Sequence, residues 1–399
     1  MLSMIRDEIK RNYYDPGFKG FDLEQHFRAA ADKMAAAESV GQLSGIIAQF
    51  LMDLDDSHLF FVPPGRINKI DYGFDYRISG DKCFVIRVKK NSDAEAKGLK
   101  VGDELWSIEN VAPNRDNLWK LRYVFALRPR PVLNVDVIKS DGKKISLAVE
   151  PKITRGKPLR DLTGSDLYDL IRESETSRGN EDRHLTIEKF DKAFIWKMPS
   201  FNLEPSRVDD IMKRARNHPA VIFDLRGNGG GRVDMLQRLV GNIFNRDIKI
   251  ADEKRRSEKR DLIARGRGKD AYSGNVLALI DSESGSASEI FSRVLQLEER
   301  GVVVGDRSAG AVMVSRFFPL QHGMDTVIFF GVSITVADLI MKDGRSLEKV
   351  GVVPDSFVVP SASDISARRD VVLSNALEII GVNISPEQAG KIFPSSDER

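Results

Sequence analysis

The sequence predicts an α/β fold, because apolar strands alternate with helices through its second half and two of those strands end in tight turns. Residues 221–223 form an apolar run that enters the glycine-rich segment 224–231. Residues 276–280 form another, which enters the small-residue segment 281–290 and then a helix. Parallel strands deliver their loops to one edge of a sheet, where sites are built. We therefore expect the two turns to lie side by side, with backbone N–H groups on one and a serine hydroxyl on the other.

Size and charge narrow the classes of partner. The 399 residues are enough for two or three domains of roughly 150 residues each. With 61 basic and 59 acidic residues the formal net charge is +2, so bulk electrostatics give no reason to expect nucleic acid or a membrane surface as a partner. No apolar run reaches the ~18 residues of a membrane span. Cys83 is the only cysteine, which excludes an intrachain disulfide and a cysteine metal cluster.

Five regions are predicted along the chain. They are a helical N-terminal region at 1–65, a strand-rich unit at 66–152, a linker at 153–187, an α/β domain at 188–375 and a C-terminal tail at 376–399. In the first region Asp22 is expected to cap a helix, and a second helix is expected to begin at Val40. The linker is polar, with one short helix predicted around 167–171, and residues 394–399 are expected to fray.

The strand-rich unit contains a recognisable segment. Residues 91–105, with the sequence Asn-Ser-Asp-Ala-Glu-Ala-Lys-Gly-Leu-Lys-Val-Gly-Asp-Glu-Leu, resemble the short helix and following strand of a PDZ domain. That resemblance implies an inserted small β-rich domain that binds peptide C-termini by strand addition, with loop N–H groups on the carboxylate. Tyr72, Gly73 and Phe74 take the place of the carboxylate-binding loop. A PDZ-shaped unit that serves only as a spacer or lid is the alternative.

The small-residue turn supplies the candidate nucleophile. Ser286 opens a helix, and the N–H groups of a helix N-terminus favour a developing anion. A serine is a weak nucleophile until a base takes its proton, so a second group is required. Ser284 and Ser288 compete for the role, and serines in such turns commonly do no more than cap helices.

Five histidines are available as the base, namely His26, His58, His184, His218 and His322. His26 and His184 are expected on the surface, and His218 and His322 lie in a loop and a turn. His58 follows Asp-Asp-Ser at the end of a predicted helix and precedes an apolar strand, where a polar side chain can be presented at a domain edge. It is therefore the candidate base.

Four motifs in one order carry a family resemblance. They are segment 224–231, Gly-Ser-Ala-Ser-Glu-Ile at 285–290, Val-Val-Gly-Asp-Arg-Ser-Ala-Gly at 303–310 and Glu-Lys-Val-Gly-Val-Val-Pro-Asp at 348–355. Together they resemble the tail-specific, or C-terminal processing, peptidase family over nearly the whole chain. The resemblance implies a crotonase-like catalytic α/β domain with a helical N-terminal region and an embedded PDZ domain.

The same resemblance indicates which base this chain uses. In the main branch of the family a lysine follows the Gly-x-x-Thr-x-Gly motif and activates the serine. Here Ala311 holds that position, and a methyl group cannot accept a proton. The tricorn-type branch uses a serine, a histidine, a second serine and a glutamate instead. Ser57 and His58 are similar to its Ser-His pair and Glu348 to its glutamate, while Ser308 fills the threonine position and is expected to be structural.

The resemblance implies a role for each matched residue. Ser286 attacks the scissile carbonyl and His58 takes its proton. Ser57 and Glu348 orient the imidazole and stabilise its charged form, as an aspartate does in the common triad. The N–H groups of Gly230 and Ala287 form the oxyanion hole. Glu348 has an alternative as an ordinary loop residue, and the resemblance implies neither a metal nor a cofactor.

The expected function is a metal-independent serine endopeptidase that cuts peptides or unfolded protein segments. The missing lysine leaves a second hypothesis open, a peptidase fold that holds peptides or apolar ligands without turnover. The family is usually exported in bacteria, whereas residues 1–6, Met-Leu-Ser-Met-Ile-Arg, lack the pattern of a signal peptide. We therefore expect a periplasmic or secreted protein if an export signal was trimmed, and a cytoplasmic protein otherwise.

Overall fold

A six-stranded sheet carries both of the predicted turns. It is seen in a computed structural model that describes residues 1–64, 68–155, 184–323 and 327–393. The helix predicted near 167–171 and the chain end at 394–399 lie outside the described residues. Within the described ranges, no helix has the length and apolar composition needed to cross a bilayer.

The helices and strands are numbered in chain order. The α-helices are α1 Leu2–Asn12, α2 Leu23–Ala35, α3 Val40–Met52, α4 Asp93–Ala96, α5 Leu118–Leu127, α6 Pro205–Ala215, α7 Val233–Ile243, α8 Ala287–Leu297, α9 Ala362–Ser366, α10 Val371–Ile379 and α11 Pro386–Ala389. The β-strands are β1 Phe60–Val62, β2 Asn68–Asp71, β3 Phe74–Ser79, β4 Lys82–Val88, β5 Glu104–Ile108, β6 Leu133–Ile138, β7 Lys144–Val149, β8 Lys152–Arg155, β9 Leu185–Phe190, β10 Ala193–Lys197, β11 Ala220–Asp224, β12 Ile248–Arg255, β13 Lys259–Ala264, β14 Asn275–Ile280, β15 Val302–Gly305, β16 Met313–His322, β17 Ile328–Met341 and β18 Ser356–Phe357.

The N-terminal helices lead into a strand that pairs with a distant part of the chain. The Asp22 carboxylate caps α2 by accepting a hydrogen bond from the Gln25 N–H at 2.9 Å. After α3, strand β1 pairs antiparallel with the long strand β17, with Phe61 opposite Val332. The apolar sides of α1 to α3 share one core with this strand pair. The segment between α3 and β1 is therefore anchored at both ends.

The strand-rich unit is closed by a strand pair of its own. β2 and β8 pair antiparallel, with Asp71 opposite Lys152, so the chain enters and leaves the unit side by side. Between them lies an antiparallel sheet in the order β3-β4-β5-β6-β7, in which β3 is an edge strand. Its apolar core includes Phe74 and Cys83, and burial raises the pKa of the Cys83 thiol to about 12. The cysteine is therefore an inert core residue.

The main sheet has the strand order β18-β15-β14-β11-β10-β9. Strands β10, β11, β14, β15 and β18 run parallel, and β9 pairs antiparallel with β10 at one edge. Helices α6, α7 and α8 cover one face, and α10 and α11 cover the other. A parallel sheet buried on both faces needs continuous apolar strands, which is the pattern that the sequence shows. The predicted α/β fold class is confirmed.

The chain beyond residue 375 packs on the main sheet. Helices α10 and α11 lie on the main sheet, where Ala376, Leu377 and Ala389 are buried. Their apolar residues recur at helical spacing and cover the face opposite α6 to α8. The predicted boundary between residues 375 and 376 therefore falls inside helix α10, and helices α10 and α11 both pack on the main sheet.

The long strand β17 brings the N-terminal region to the main sheet. It pairs with β16 along one side and with β1 and β12 along the other. β16 begins at Met313, directly after the loop 306–312 that follows β15. Loop 306–312 therefore connects the main sheet to the sheet that contains β16 and β17. Its contacts set the position of β1 relative to the turn after β14.

Candidate active site

The two predicted turns are in contact. β11 pairs in parallel with β14, which brings the ends of both strands together. The Gly285 N–H donates to the Asn228 carbonyl at 2.9 Å, from one turn to the other. Gly230 has a φ of 107°, and a side chain there would start 2.6 Å from Ser286 Cβ. Only glycine fits at that position, so the glycine-rich turn forms a wall directly beside the candidate nucleophile.

Ser286 is the accessible serine among the three candidates. Its backbone has φ 50° and ψ −115°, a sparsely populated conformation that costs a non-glycine residue ~1–3 kcal/mol. Its N–H donates to the Ala311 carbonyl at 2.9 Å and to Glu289 Oε2 at 3.0 Å. Ser284 and Ser288 are fully buried and donate their hydroxyls to backbone carbonyls. Of the three serines, Ser286 alone is partly exposed.

His58 is bound to a second serine, which is bound in turn to a glutamate. The Ser57 hydroxyl lies 2.8 Å from His58 Nδ1 and donates to Glu348 Oε2 at 2.8 Å, and the Ser57 N–H donates to Glu348 Oε1 at 3.0 Å. A hydroxyl has one proton, so with that proton directed at the carboxylate it accepts from Nδ1–H. The imidazole proton is therefore on Nδ1, and Nε2 carries the free lone pair. This is the tautomer of a general base.

Burial shifts the pKa values of the base and of its glutamate in opposite directions. Burial lowers the pKa of His58 below its ordinary 6.5, and the charge of Asp56 acts against that shift. Burial raises the pKa of Glu348, while hydrogen bonds from Ser57 favour its carboxylate form. The imidazole is consequently neutral at neutral pH, which is the form that accepts a proton.

The base cluster of Ser57, His58 and Glu348 also includes Asp56, which no sequence pattern distinguishes. Its buried carboxylate accepts hydrogen bonds from the His58 N–H at 3.0 Å, the Thr335 hydroxyl at 2.6 Å and the Tyr13 hydroxyl at 2.9 Å. These bonds join the backbone at the histidine to β17 and to the end of α1. Asp55 is exposed and pairs with two lysines instead. Nothing in the sequence separates the two aspartates, because the partners that distinguish them are distant in the chain.

Residues 311 and 312 connect the nucleophile to the base cluster. The Ala311 carbonyl accepts the Ser286 N–H, and the Val312 N–H donates to Glu348 Oε2 at 3.0 Å. The position that the family resemblance assigns to a lysine is thus beside the nucleophile and holds a methyl group. In the part of the chain that the structure describes, no direct hydrogen bond joins the Ser286 hydroxyl to the His58 imidazole.

Comparison with known proteins identifies the α/β domain. Residues 193–358 match the family model for peptidase family S41. We call this stretch the S41 domain. It contains Ser286 and Glu348, whereas Ser57 and His58 lie outside it. The base cluster therefore combines residues of the S41 domain with residues of the N-terminal region.

Relatives and solved structures extend the similarity beyond the S41 domain. The chain is 24% identical over 332 residues to the carboxy-terminal processing protease CtpB of Bacillus subtilis (strain 168), over 78% of this chain and 62% of that protein. It is 26% identical over 320 residues to the tail-specific protease of Haemophilus influenzae (strain ATCC 51907 / DSM 11121 / KW20 / Rd), over 75% of this chain and 43% of that protein. The chain thus spans about half the length of these relatives. The crystal structure of mature CPAF has a TM-score of 0.68 at 17% identity, over 92% of this chain and 93% of that chain, which shows a shared fold.

One of the two expected oxyanion donors in the S41 domain is already occupied. The Gly230 N–H donates to Asn228 Oδ1 at 2.8 Å, and the Asn228 amide donates to the Met198 carbonyl at 2.8 Å. In this conformation the asparagine side chain closes a turn onto the Gly230 N–H that is expected to help form the oxyanion hole. Ala287 lies against Gly230 at the start of α8, and among the described residues its N–H has no acceptor.

The three residues expected to bind a peptide carboxylate have partners of their own. The Gly73 N–H donates to Asp71 Oδ1 at 2.9 Å, and the Tyr72 hydroxyl both donates to and accepts from the Arg130 backbone. The Phe74 side chain is buried in the core of the strand-rich unit. In this conformation a neighbouring aspartate therefore accepts the Gly73 N–H of the loop that is expected to bind a peptide carboxylate.

The strand-rich unit contacts the S41 domain at the turn that precedes the nucleophile. The Arg122 guanidinium of α5 donates to Glu283 Oε1 at 2.5 Å. The Ser282 hydroxyl donates to the Ile78 carbonyl of β3 at 2.6 Å. The segment just before Ser286 is thereby attached to both β3 and α5.

Another histidine differs from its predicted environment. His184, expected on the surface, accepts a hydrogen bond from the Trp196 indole N–H at 3.1 Å. Burial lowers the pKa of His184 to about 4. The expectation was wrong because β9 and β10 pair directly and bring the residue before β9 onto the sheet.

Proposed function

We propose that this chain is a serine endopeptidase that cuts peptides or unfolded protein segments through an acyl-enzyme on Ser286. The observation that carries the proposal is the Ser57 hydroxyl, which lies 2.8 Å from His58 Nδ1 and 2.8 Å from a Glu348 oxygen. This arrangement supports His58 Nε2 as the proton acceptor. The match of residues 193–358 to peptidase family S41 supports the same class of reaction.

In the first step His58 Nε2 takes the Ser286 proton while the serine oxygen attacks the scissile carbonyl. The two side chains approach each other when substrate is bound, as catalytic hydrogen bonds commonly tighten only at that stage. Ser57 and Glu348 stabilise the imidazolium that forms, because the two hydrogen bonds beyond Nδ1 end on a carboxylate. We assign these four residues to the serine, histidine, serine and glutamate set of the tricorn-type branch.

The oxyanion of the tetrahedral intermediate is held by the Ala287 N–H at the start of α8. The Gly230 N–H becomes the second donor when the peptide between Gly229 and Gly230 turns away from Asn228, a rotation that two glycines permit. Each donor contributes about 2.7–4 kcal/mol of transition-state stabilisation. His58 then protonates the leaving amine, and it later takes a proton from the water that hydrolyses the acyl-enzyme.

The proposal extends to the fold of the two structured regions. The strand, turn and helix units β11–α7 and β14–α8 support a crotonase-like arrangement of the catalytic domain. The strand-rich unit is proposed as a PDZ domain, and the edge position of β3 supports strand addition by a peptide. At its loop, a peptide carboxylate replaces Asp71 as the acceptor of the Gly73 N–H.

Labelling with a fluorophosphonate tests the proposed reaction. The wild-type chain is expected to gain one phosphonyl group on Ser286, with release of fluoride, and to cleave casein, because an activated serine performs both reactions. Ser286→Ala is expected to lose both. Ser273→Ala is the control, since Ser273 is an exposed serine of the same domain, and it is expected to behave as wild type. Casein cleavage retained by Ser286→Ala refutes the proposal.

A second candidate function is peptide binding without turnover. Two observations favour it, namely the occupied N–H of Gly230 and, among the described residues, the lack of a direct bond between Ser286 and His58. This candidate predicts that the wild-type chain retains casein on a column, releases no fragments and gains no probe mass. The labelling experiment therefore separates the two functions.

A further inference from the structure

Glu289 is a buried carboxylate beside the nucleophile that the proposed reaction does not use. It lies in the first turn of α8 and is fully buried. Its Oε2 accepts the Ser286 N–H at 3.0 Å and the Ala311 N–H at 2.9 Å. Its Oε1 accepts the Ser308 hydroxyl at 2.6 Å and the Gly310 N–H at 2.7 Å. Four donors from two separate segments therefore converge on one side chain.

Helix capping accounts for only one of these four bonds. A glutamate at the third helical position commonly reaches back to the N–H of the residue that caps the helix, and Glu289 does so with Ser286. Such a cap needs one carboxylate oxygen and can remain in water. Here three further donors come from the loop after β15, and the charge is removed from water at a cost that only full hydrogen bonding offsets.

The loop that Glu289 holds is the loop that joins the two halves of the site. Its residue Ala311 accepts the Ser286 N–H, and the next residue, Val312, donates to Glu348. A shift of this loop therefore moves the glutamate of the base cluster relative to the nucleophile. The carboxylate restrains the loop on the nucleophile side, where the strained Ser286 backbone also depends on it.

Ser308 carries the same restraint to the segment that follows Glu348. Its hydroxyl donates to Glu289 and accepts the Val352 N–H at 2.6 Å. The Gly310 carbonyl accepts the Lys349 N–H at 2.7 Å. Residues at both ends of segment 349–352 are thus bonded to residues that bind the Glu289 carboxylate.

The surroundings of Glu289 suit its ionised form. All four neighbours donate, so a proton on either oxygen would face a donor. Burial raises the pKa of Glu289 to about 7, and hydrogen bonds from Ser308, Ala311 and Gly310 act in the opposite direction. In mildly alkaline buffer the group is a carboxylate, and the restraint is complete.

We propose that Glu289 is a positioning residue that sets the separation between Ser286 and the base cluster through loop 308–312. The inference rests on the proposed peptidase function. It also gives Ser308 a role, as a donor to this carboxylate.

Glu289→Gln tests the inference in mildly alkaline buffer. The amide places N–H groups against donors, so the loop is expected to shift, and a displacement of about 1 Å can cost ~10²-fold in rate. We expect the rate constant for fluorophosphonate labelling of Ser286 to fall about 10- to 100-fold. With casein, kcat is expected to fall while KM is unchanged, because Glu289 does not touch substrate. Glu298→Gln is the matched control, since Glu298 ends the same helix and pairs with Arg246 and Lys342.

Two variants of Ser308 separate positioning from fold stability. Ser308→Ala removes a donor and is expected to slow labelling, whereas Ser308→Thr keeps the hydroxyl and is expected to restore the rate. These variants decide the matter if Glu289→Gln does not fold. Folded Glu289→Gln or Ser308→Ala that is labelled at the wild-type rate overturns the inference alone. A wild-type chain that gains no label on Ser286 overturns the proposed function instead.

Discussion

Ser286 takes its position from the sheet on which it stands, whereas His58 takes its position from distant parts of the chain. The nucleophile turn contacts the turn of the neighbouring strand β11 and the loop after β15, all within the S41 domain. The base cluster joins Ser57 to Glu348 across 291 positions, and Asp56 is held by Thr335 across 279. The nucleophile half of the site, which is the turn that carries Ser286, is thus built inside one domain. The base half, which is the base cluster, forms only when the N-terminal region packs on β17.

This difference predicts that the two halves of the site differ in their sensitivity to local unfolding. The nucleophile turn lies on parallel strands that are buried on both faces, so it opens only with the main sheet. The base cluster depends on the three-residue strand β1 and on helices at the chain terminus, where local opening costs less free energy. Damage to the N-terminal region therefore removes the base and leaves the serine in place.

His58→Ala removes the proposed base and leaves the nucleophile turn unchanged. We expect it to reduce casein cleavage more than Ser57→Ala does. Casein cleavage is expected to fall about 10³-fold, within the range that general acid–base catalysis contributes. His26→Ala is the control, because His26 lies on α2, where its ring stacks on Phe21 and its Nδ1 is 2.9 Å from the Asp22 carbonyl oxygen. Initial rates at equal concentrations of folded protein measure both. A near-wild-type rate for His58→Ala would mean that the nucleophile half works without the N-terminal region.

Ser57→Ala removes the hydroxyl that lies between the imidazole and the carboxylate in the base half. Without the hydroxyl, Nδ1–H loses its acceptor and Glu348 loses one of its donors, so the imidazolium is stabilised less. We expect kcat to fall about 10²-fold, at the lower end of the same range. Ser57→Thr keeps the hydroxyl and is expected to recover part of the loss. If Ala and Thr at this position give equal rates, the hydroxyl is not the link between imidazole and carboxylate.

The nucleophile half of the site could be predicted from the sequence because the residue patterns that specify it are local. Apolar runs before residues 224 and 281 predict the strands, and the glycine and serine content of the segments after them predicts tight turns. Strand pairing then brings the turns together without further information. The contact of Gly230 with Ser286 follows from that geometry.

The base half of the site could be predicted only from the resemblance to a known family. No periodicity links Ser57 to Glu348, and Asp56 looks the same as Asp55 until Thr335 and Tyr13 are seen beside it. Side-chain hydrogen bonds also escaped prediction inside the S41 domain. The Asn228 side chain occupies the Gly230 N–H, and Glu289 binds a loop that starts 19 positions away. Such partners depend on how loops pack, which local sequence patterns do not encode.

Nitrogen NMR of the protein with labelled histidine reports directly where the proton of the proposed base lies, with the His58 signals assigned by their absence in His58→Ala. We expect a neutral imidazole in mildly alkaline buffer, with the proton on Nδ1 and Nε2 unprotonated. Because burial lowers the pKa of His58, the ring is expected to titrate below its ordinary 6.5, and casein cleavage to fall with pH through the same value. A proton on Nε2, or a ring that titrates above 6.5, would refute His58 Nε2 as the proton acceptor for Ser286.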